Sequence, residues 1–227
     1  MGGRDPARER LRSAGRGADK DPLLMMNNTQ GTGGAVVELA VGEFDSKWRK
    51  HYETVFSGRD IDEAPFRDPT WRVFPIGAPA YYFESYKQPL TTEQQQHIAI
   101  YDAIARCARQ LGDVAAVSFL RDGPHLNPSI FCSRSITAAS MYALRQAALD
   151  GFDRHVFSVS EGWGLAVLWD EEIAVIGGNS AFESAFMKSV GGESTLKKDF
   201  ELSSAYLLRL SSAAAERVRR LATQAGW

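Results

Sequence analysis

The chain has 227 residues, 44% of them apolar and 24% charged, with a formal net charge of -2 and two Cys. Fractions of that size belong to a chain that folds around a core, and the length admits one large domain or two small ones. Two Cys are too few for a disulfide scaffold or a Cys-rich zinc module, and the charge lacks the basic excess of a dedicated nucleic-acid binder.

The charge total averages two unlike regions. Residues 1–30 hold six basic residues (Arg4, Arg8, Arg10, Arg12, Arg16, Lys20) and four acidic ones (Asp5, Glu9, Asp19, Asp21), with no aromatic side chain and no apolar period. Such a segment buries too little surface to offset its ordering entropy, so a disordered tail is expected. Its acids are interspersed with its bases, which argues against an arm that grips phosphates or an anionic membrane surface. Met25 and Met26 offer a later translation start, which would leave residues 1–24 outside the translated chain. Residues 31–227 then carry 20 basic and 24 acidic residues and read as one mildly acidic domain. No apolar run reaches the length of a signal h-region or a membrane span, and with few Cys this points to the cytoplasm.

Along the body, Ala35–Val41 reads as a strand. Phe44, Trp48, Tyr52 and Val55 recur at helical spacing. Residues 58–69 are polar and read as a loop. Trp71–Phe74 and Ala80–Phe83 are aromatic β-prone runs around a turn at Ile76-Gly77-Ala78-Pro79, so a hairpin is expected. A helix should start near Thr92 and stop at Gly112. Val114–Leu120 reads as a strand, Arg121–Pro128 as a loop, and Ile136–Leu149 as an Ala-rich helix. Val156–Val159, Gly164–Trp169 and Ile173–Gly177 follow at hairpin spacing and read as an antiparallel meander. Ser180 to Glu183 has the form of a capping box for a helix that ends at Gly191-Gly192. From Leu196 to Leu221 an apolar stripe steps by three and four, as one long amphipathic helix or two with a break near Ser211-Ser212. The order lacks β-α alternation. The expected fold is therefore α+β, a mostly antiparallel sheet with helices on one face and a long C-terminal amphipathic helix.

Candidate chemistry is sparse. Cys132 precedes a predicted helix, where the dipole and Arg134 would favour a thiolate, and His125 or His155 would supply a base. This is the pattern of a Cys-dependent hydrolase or acyl transferase. The competing reading makes Cys132 a small buried hydrophobe on a strand end, beside Ile130 and Phe131. Cys107, in mid-helix, reads as structural. Gly177-Gly178 joins a strand to a helix N-terminus but lacks the spacing of a phosphate loop, and a tight connection explains it better. Ser158 and Ser160 do not form a nucleophile elbow. The four His are scattered without metal-ligand spacing, so neither a metal nor a cofactor is expected.

Trp71, Tyr82 and Tyr86 offer aromatic anchors, and the Asp170-Glu171-Glu172 turn adds acidity. Together they suggest a non-enzymatic protein-binding module, of the kind found in a bacterial immunity or antitoxin-like inhibitor or a regulatory adaptor. It would act by steric and electrostatic masking of another protein, without nucleic acid or membrane. The C-terminal stripe must cover either its own sheet or a second copy in a homodimer.

Overall fold

The computed structural model describes residues 36–59, 63–77, 92–120, 130–146, 153–168, 173–205, 207–210 and 212–227, all within one unit by their contacts. Their order is β1 (Val36–Glu38), α1 (Val41–Lys47), α2 (Arg49–Val55), β2 (Arg72–Gly77), α3 (Thr92–Gln110), β3 (Ala116–Leu120), β4 (Ile130–Ser133), α4 (Ala138–Gln146), β5 (Arg154–Ser158), β6 (Trp163–Leu168), β7 (Ile173–Gly178), α5 (Ser180–Val190), α6 (Glu193–Ser204), α7 (Leu207–Leu210) and α8 (Ser212–Gln224). The seven strands form one antiparallel sheet in the order β1-β4-β3-β5-β6-β7-β2. The fold is α+β. No described helix is long and apolar enough to cross a membrane.

Helices cover both faces of this sheet, not the single face expected. The strand alternation shows why. On β6, Trp163, Leu165 and Val167 enter one core, while Ala166 and Leu168 enter another. On β7, Ala174 and Ile176 point one way and Ile173 and Val175 the other. Strands apolar at every position need cover on both sides. On the first face lie α3, α4 and α5. On the second lie α1 and α2 with α6 and α8, and the aromatic residues Phe56 and Phe66 fill the space between.

Glycines shape the second face. Gly164 on β6 pairs with Gly177 on β7. A Cβ on Gly164 would lie 2.6 Å from Val55 and 2.8 Å from the Phe66 ring, and one on Gly177 would lie 2.6 Å from the same ring. Bare backbone thus serves as the floor on which Phe66 rests. Gly178 plays the same part under Phe182 on the other face. The Gly-Gly pair does end a strand one residue short of a helix, the tight connection expected, and it serves packing as well.

The helix predicted from Phe44 to Val55 is two helices, because Trp48 sits at φ -117° and turns the chain between α1 and α2. Phe44 on α1 and Val55 on α2 both reach the second core. The cap of α5 is Asn179, whose side chain accepts from Phe182 N at 2.9 Å, one residue before the Ser180 start that the sequence pattern suggested. Gly191, at φ 82°, ends that helix. Residues 130–133 form β4, in line with the reading of Cys132 as a buried strand residue. The Ala80–Phe83 half of the expected hairpin lies outside the described residues. Its other half, β2, pairs with β7.

The two sheet edges differ. Three-residue β1 forms one. At the other, α6 packs along β2. Its Leu196 enters the first core and its Phe200 the second, so this helix straddles the edge and closes it. Pro75, which has no N–H to give to a ladder, suits the edge strand.

Candidate functional site

Cys132 lies in mid-β4, between Val37 on β1 and Val117 on β3. It is buried in the second core, six residues before α4 begins, too far for the helix dipole to act on it. Burial pushes its thiol up from its ordinary value, and Arg134, an exposed residue, offsets this only in part. His125 lies outside the described residues. His155 sits on β5, two strands from Cys132 and two residues out of register with it, since Cys132 aligns through Val117 with Phe157. It is fully buried, stacked 3.9 Å from Phe56, with Nδ1 3.1 Å from the Tyr52 hydroxyl. This is a core histidine held by an aromatic cluster. Cys107 is also buried, its Sγ 3.7 Å from Ser189 Oγ, and burial raises its thiol too.

Of the residues suggested for partner contact, Trp71 is half-buried and packs on Phe66, ring centroids 5.5 Å apart. It belongs to the rim of the second core. Tyr82, Tyr86, Asp170, Glu171 and Glu172 lie outside the described residues. Among the described residues no cluster of His, Cys, Asp or Glu has the geometry to hold a metal ion.

Several buried polar groups gave no pattern in the sequence. Asp113, 3% exposed, accepts from Trp163 Nε1 at 2.8 Å and from Ser160 N at 3.0 Å. That one carboxylate ties the end of α3 to the β5–β6 turn. Arg154 is fully buried and donates to Ser118 Oγ at 3.4 Å. His51 on α2 meets Glu161 at 2.6 Å, and Glu161 holds the left-handed conformation at φ 55°. Each links elements distant in sequence, so spacing along the chain carries no trace of it.

Among the described residues, one surface feature lies in the C-terminal segment. Between α6 and α8 runs a groove of about 580 Å³. Its walls are Phe200, Ala205, Leu208, Val218, Ala222 and Trp227, with Lys197, Glu201, Ser204, Arg209 and Arg219 also lining it. The turn after α8 builds one wall. Gly226 at φ 75° reverses the chain, Trp227 N donates to Ala222 O at 2.9 Å, and the indole comes to rest 5.8 Å from the Phe200 ring. Trp227 Nε1 donates to Glu193 at 3.1 Å, and Arg72 holds the same carboxylate at 2.6 Å. These two partners keep the Glu193 carboxyl below its usual range. Leu208 on α7 is 49% exposed and Leu202 on α6 is 53% exposed. The amphipathic stripe predicted for this segment is present but divided among three helices, broken after Ser204 as well as at the expected place before Ser212, and its buried half (Leu196, Phe200, Val218, Leu221) covers the chain's own sheet. The periodicity could show that the helices have an apolar side. It could not show that two of them would leave a groove between them.

No protein-family model matches the chain, and neither a curated protein nor a solved structure does.

Proposed function

We propose that the chain is a protein-binding module whose contact surface is the face formed by α6, α7 and α8. The observation that carries this reading is the apolar groove between α6 and α8, with Leu208 half-exposed in its wall. Exposed leucine beside an apolar cleft is costly to leave in water and is relieved by association. Phe200 and Trp227 supply large rings of the kind that dominate interface energies. The groove is built on helices that also close the sheet, so it is held in shape before a partner arrives, which lowers the ordering cost of binding. The module would act by occupying and masking a partner's surface. The hydrolase or acyl-transferase reading draws no support from Cys132, whose burial opposes the thiolate that such chemistry needs.

The test is affinity purification from the source cells with the full chain and with Leu208→Asp, compared by quantitative mass spectrometry. Leu208 is exposed enough that the fold should tolerate Asp, which a melting curve checks. One or a few proteins should be recovered with the parent chain and lost with the variant. Recovery of the parent chain alone, or of the same proteins with both chains, defeats the proposal.

A further inference from the structure

We infer that the groove takes an amphipathic helix of another protein, apolar on one side and acidic along its flanks. This rests on the binding reading above and names the chemistry of the occupant. Three observations lead to it. First, the groove walls are helices, whose backbone N–H and C=O groups are used internally, so no ladder is open to an added strand. Recognition must then come from side chains, the mode in which a helix lays an i, i+4, i+7 stripe into a cleft. The 13 residues of α8 span about 20 Å, or between three and four turns, which matches such a stripe.

Second, the apolar walls meet a surplus of cations. Residues 193–227 carry six basic and four acidic residues, the reverse sign of the whole chain. Three of the four acids are already engaged or buried. Glu193 is held by Arg72 and Trp227, Glu216 pairs with Arg219 at 3.2 Å, and Asp199 is buried. Third, the groove itself is lined by Lys197, Arg209 and Arg219 with Glu201, and since Arg219 is taken by Glu216, two cations face one acid. Lys197 and Arg209 are exposed, and no ion pair engages either among the described residues. A helix that placed carboxylates over these cations would gain steering and orientation, while a basic helix with the same apolar stripe would be repelled.

The experiment is panning of a phage-displayed library of random peptides about four helical turns long on the full chain. Leu208→Asp and the double variant Lys197→Glu/Arg209→Glu are panned in parallel. The enriched peptides should combine an i, i+4, i+7 apolar stripe with net negative charge. Their binding, read by fluorescence anisotropy, should be lost with Leu208→Asp and fall about tenfold or more with the double reversal at low salt. Added salt should weaken the parent complex but not the double variant's residual binding, which it should if anything raise, because there it screens repulsion between like charges. Enrichment that needs Leu208 but favours neutral or basic peptides overturns this inference and leaves the binding module standing. Capture of a single-stranded oligonucleotide by the same cations, in preference to any peptide, also overturns it. Enrichment indifferent to Leu208, or none, overturns both.

Discussion

The glycine floor under α2 and the groove between α6 and α8 use apolar side chains in opposite ways. At the floor, Gly164 and Gly177 remove every atom that would keep Phe66 away from the sheet, and the rings of Phe56 and Phe66 close over backbone, with Tyr52 packed on Phe56. Nothing there is left over. At the groove, Phe200 and Trp227 are paired, yet Leu208 faces water. The first region settles which fold the chain adopts. The second retains surface that the fold does not consume. A substitution should therefore cost stability at the floor and cost association at the groove.

That contrast can be broken, and the largest effect tests it first. Gly164→Val would drive branched carbons into Val55, Phe56 and Phe66, so a loss of about 4 kcal/mol or more is expected, read as failure to fold or as a collapse of the denaturant midpoint. A variant that melts within a few degrees of the parent would show that the floor is loose. Asp113→Ala comes next. It strands the Trp163 indole N–H and the Ser160 N–H in a buried site, for about 2–4 kcal/mol, and chemical denaturation measures it. A neutral result would mean water enters there freely.

Cys132→Ser should cost about 1–3 kcal/mol by placing a hydroxyl in the second core. In the native parent, both thiols should resist a disulfide reagent near pH 8 and react fully once unfolded. Rapid native modification of Cys132 would reopen the nucleophile reading. The sign of the pH effect follows from the raised thiol. The unfolded thiol ionises first, so the stability this group contributes is complete below about pH 8.5 and declines as pH rises above it. The smallest effect belongs to Glu193→Gln at the foot of the groove, under about 1 kcal/mol for an exposed pair. Here the folded carboxyl is depressed, so its contribution is present above the unfolded carboxylate range and fades as pH falls through the folded value. Parent and variant melting curves should converge in acid. A gap that persists there would assign the effect to packing of Trp227.

The parts of the fold written in local pattern were readable. Alternating and continuous apolar runs gave the β5–β6–β7 meander, and Gly112 and Gly191 marked the ends of α3 and α5. Trp48 read as one more apolar position on a continuous stripe, because periodicity records which face is apolar and not where φ departs from the helix. Strand β4 has four residues, too few for a period to register. The two-sided cover was visible in principle, since β5, β6 and β7 are buried at every position. Cys132 looked reactive through its neighbours in sequence, Arg134 and a helix start. Its neighbours in space are Val37 and Val117, which pairing across the sheet supplies. The groove was least legible of all, because it depends on how two helices are placed in space, and composition carries no such placement.

Helix α6 does more than cover apolar area. With Leu196 in one core and Phe200 in the other, it works as a clasp through which the two halves of the molecule share one fate. If it peels away, both cores open together and the β2 ladder is bared as a template for another chain. Conversely, anything that grips α6 and α8 from outside slows hydrogen exchange at β2, because the energy of the grip is added to that of the clasp. Association at the surface and protection against aggregation would then be one event.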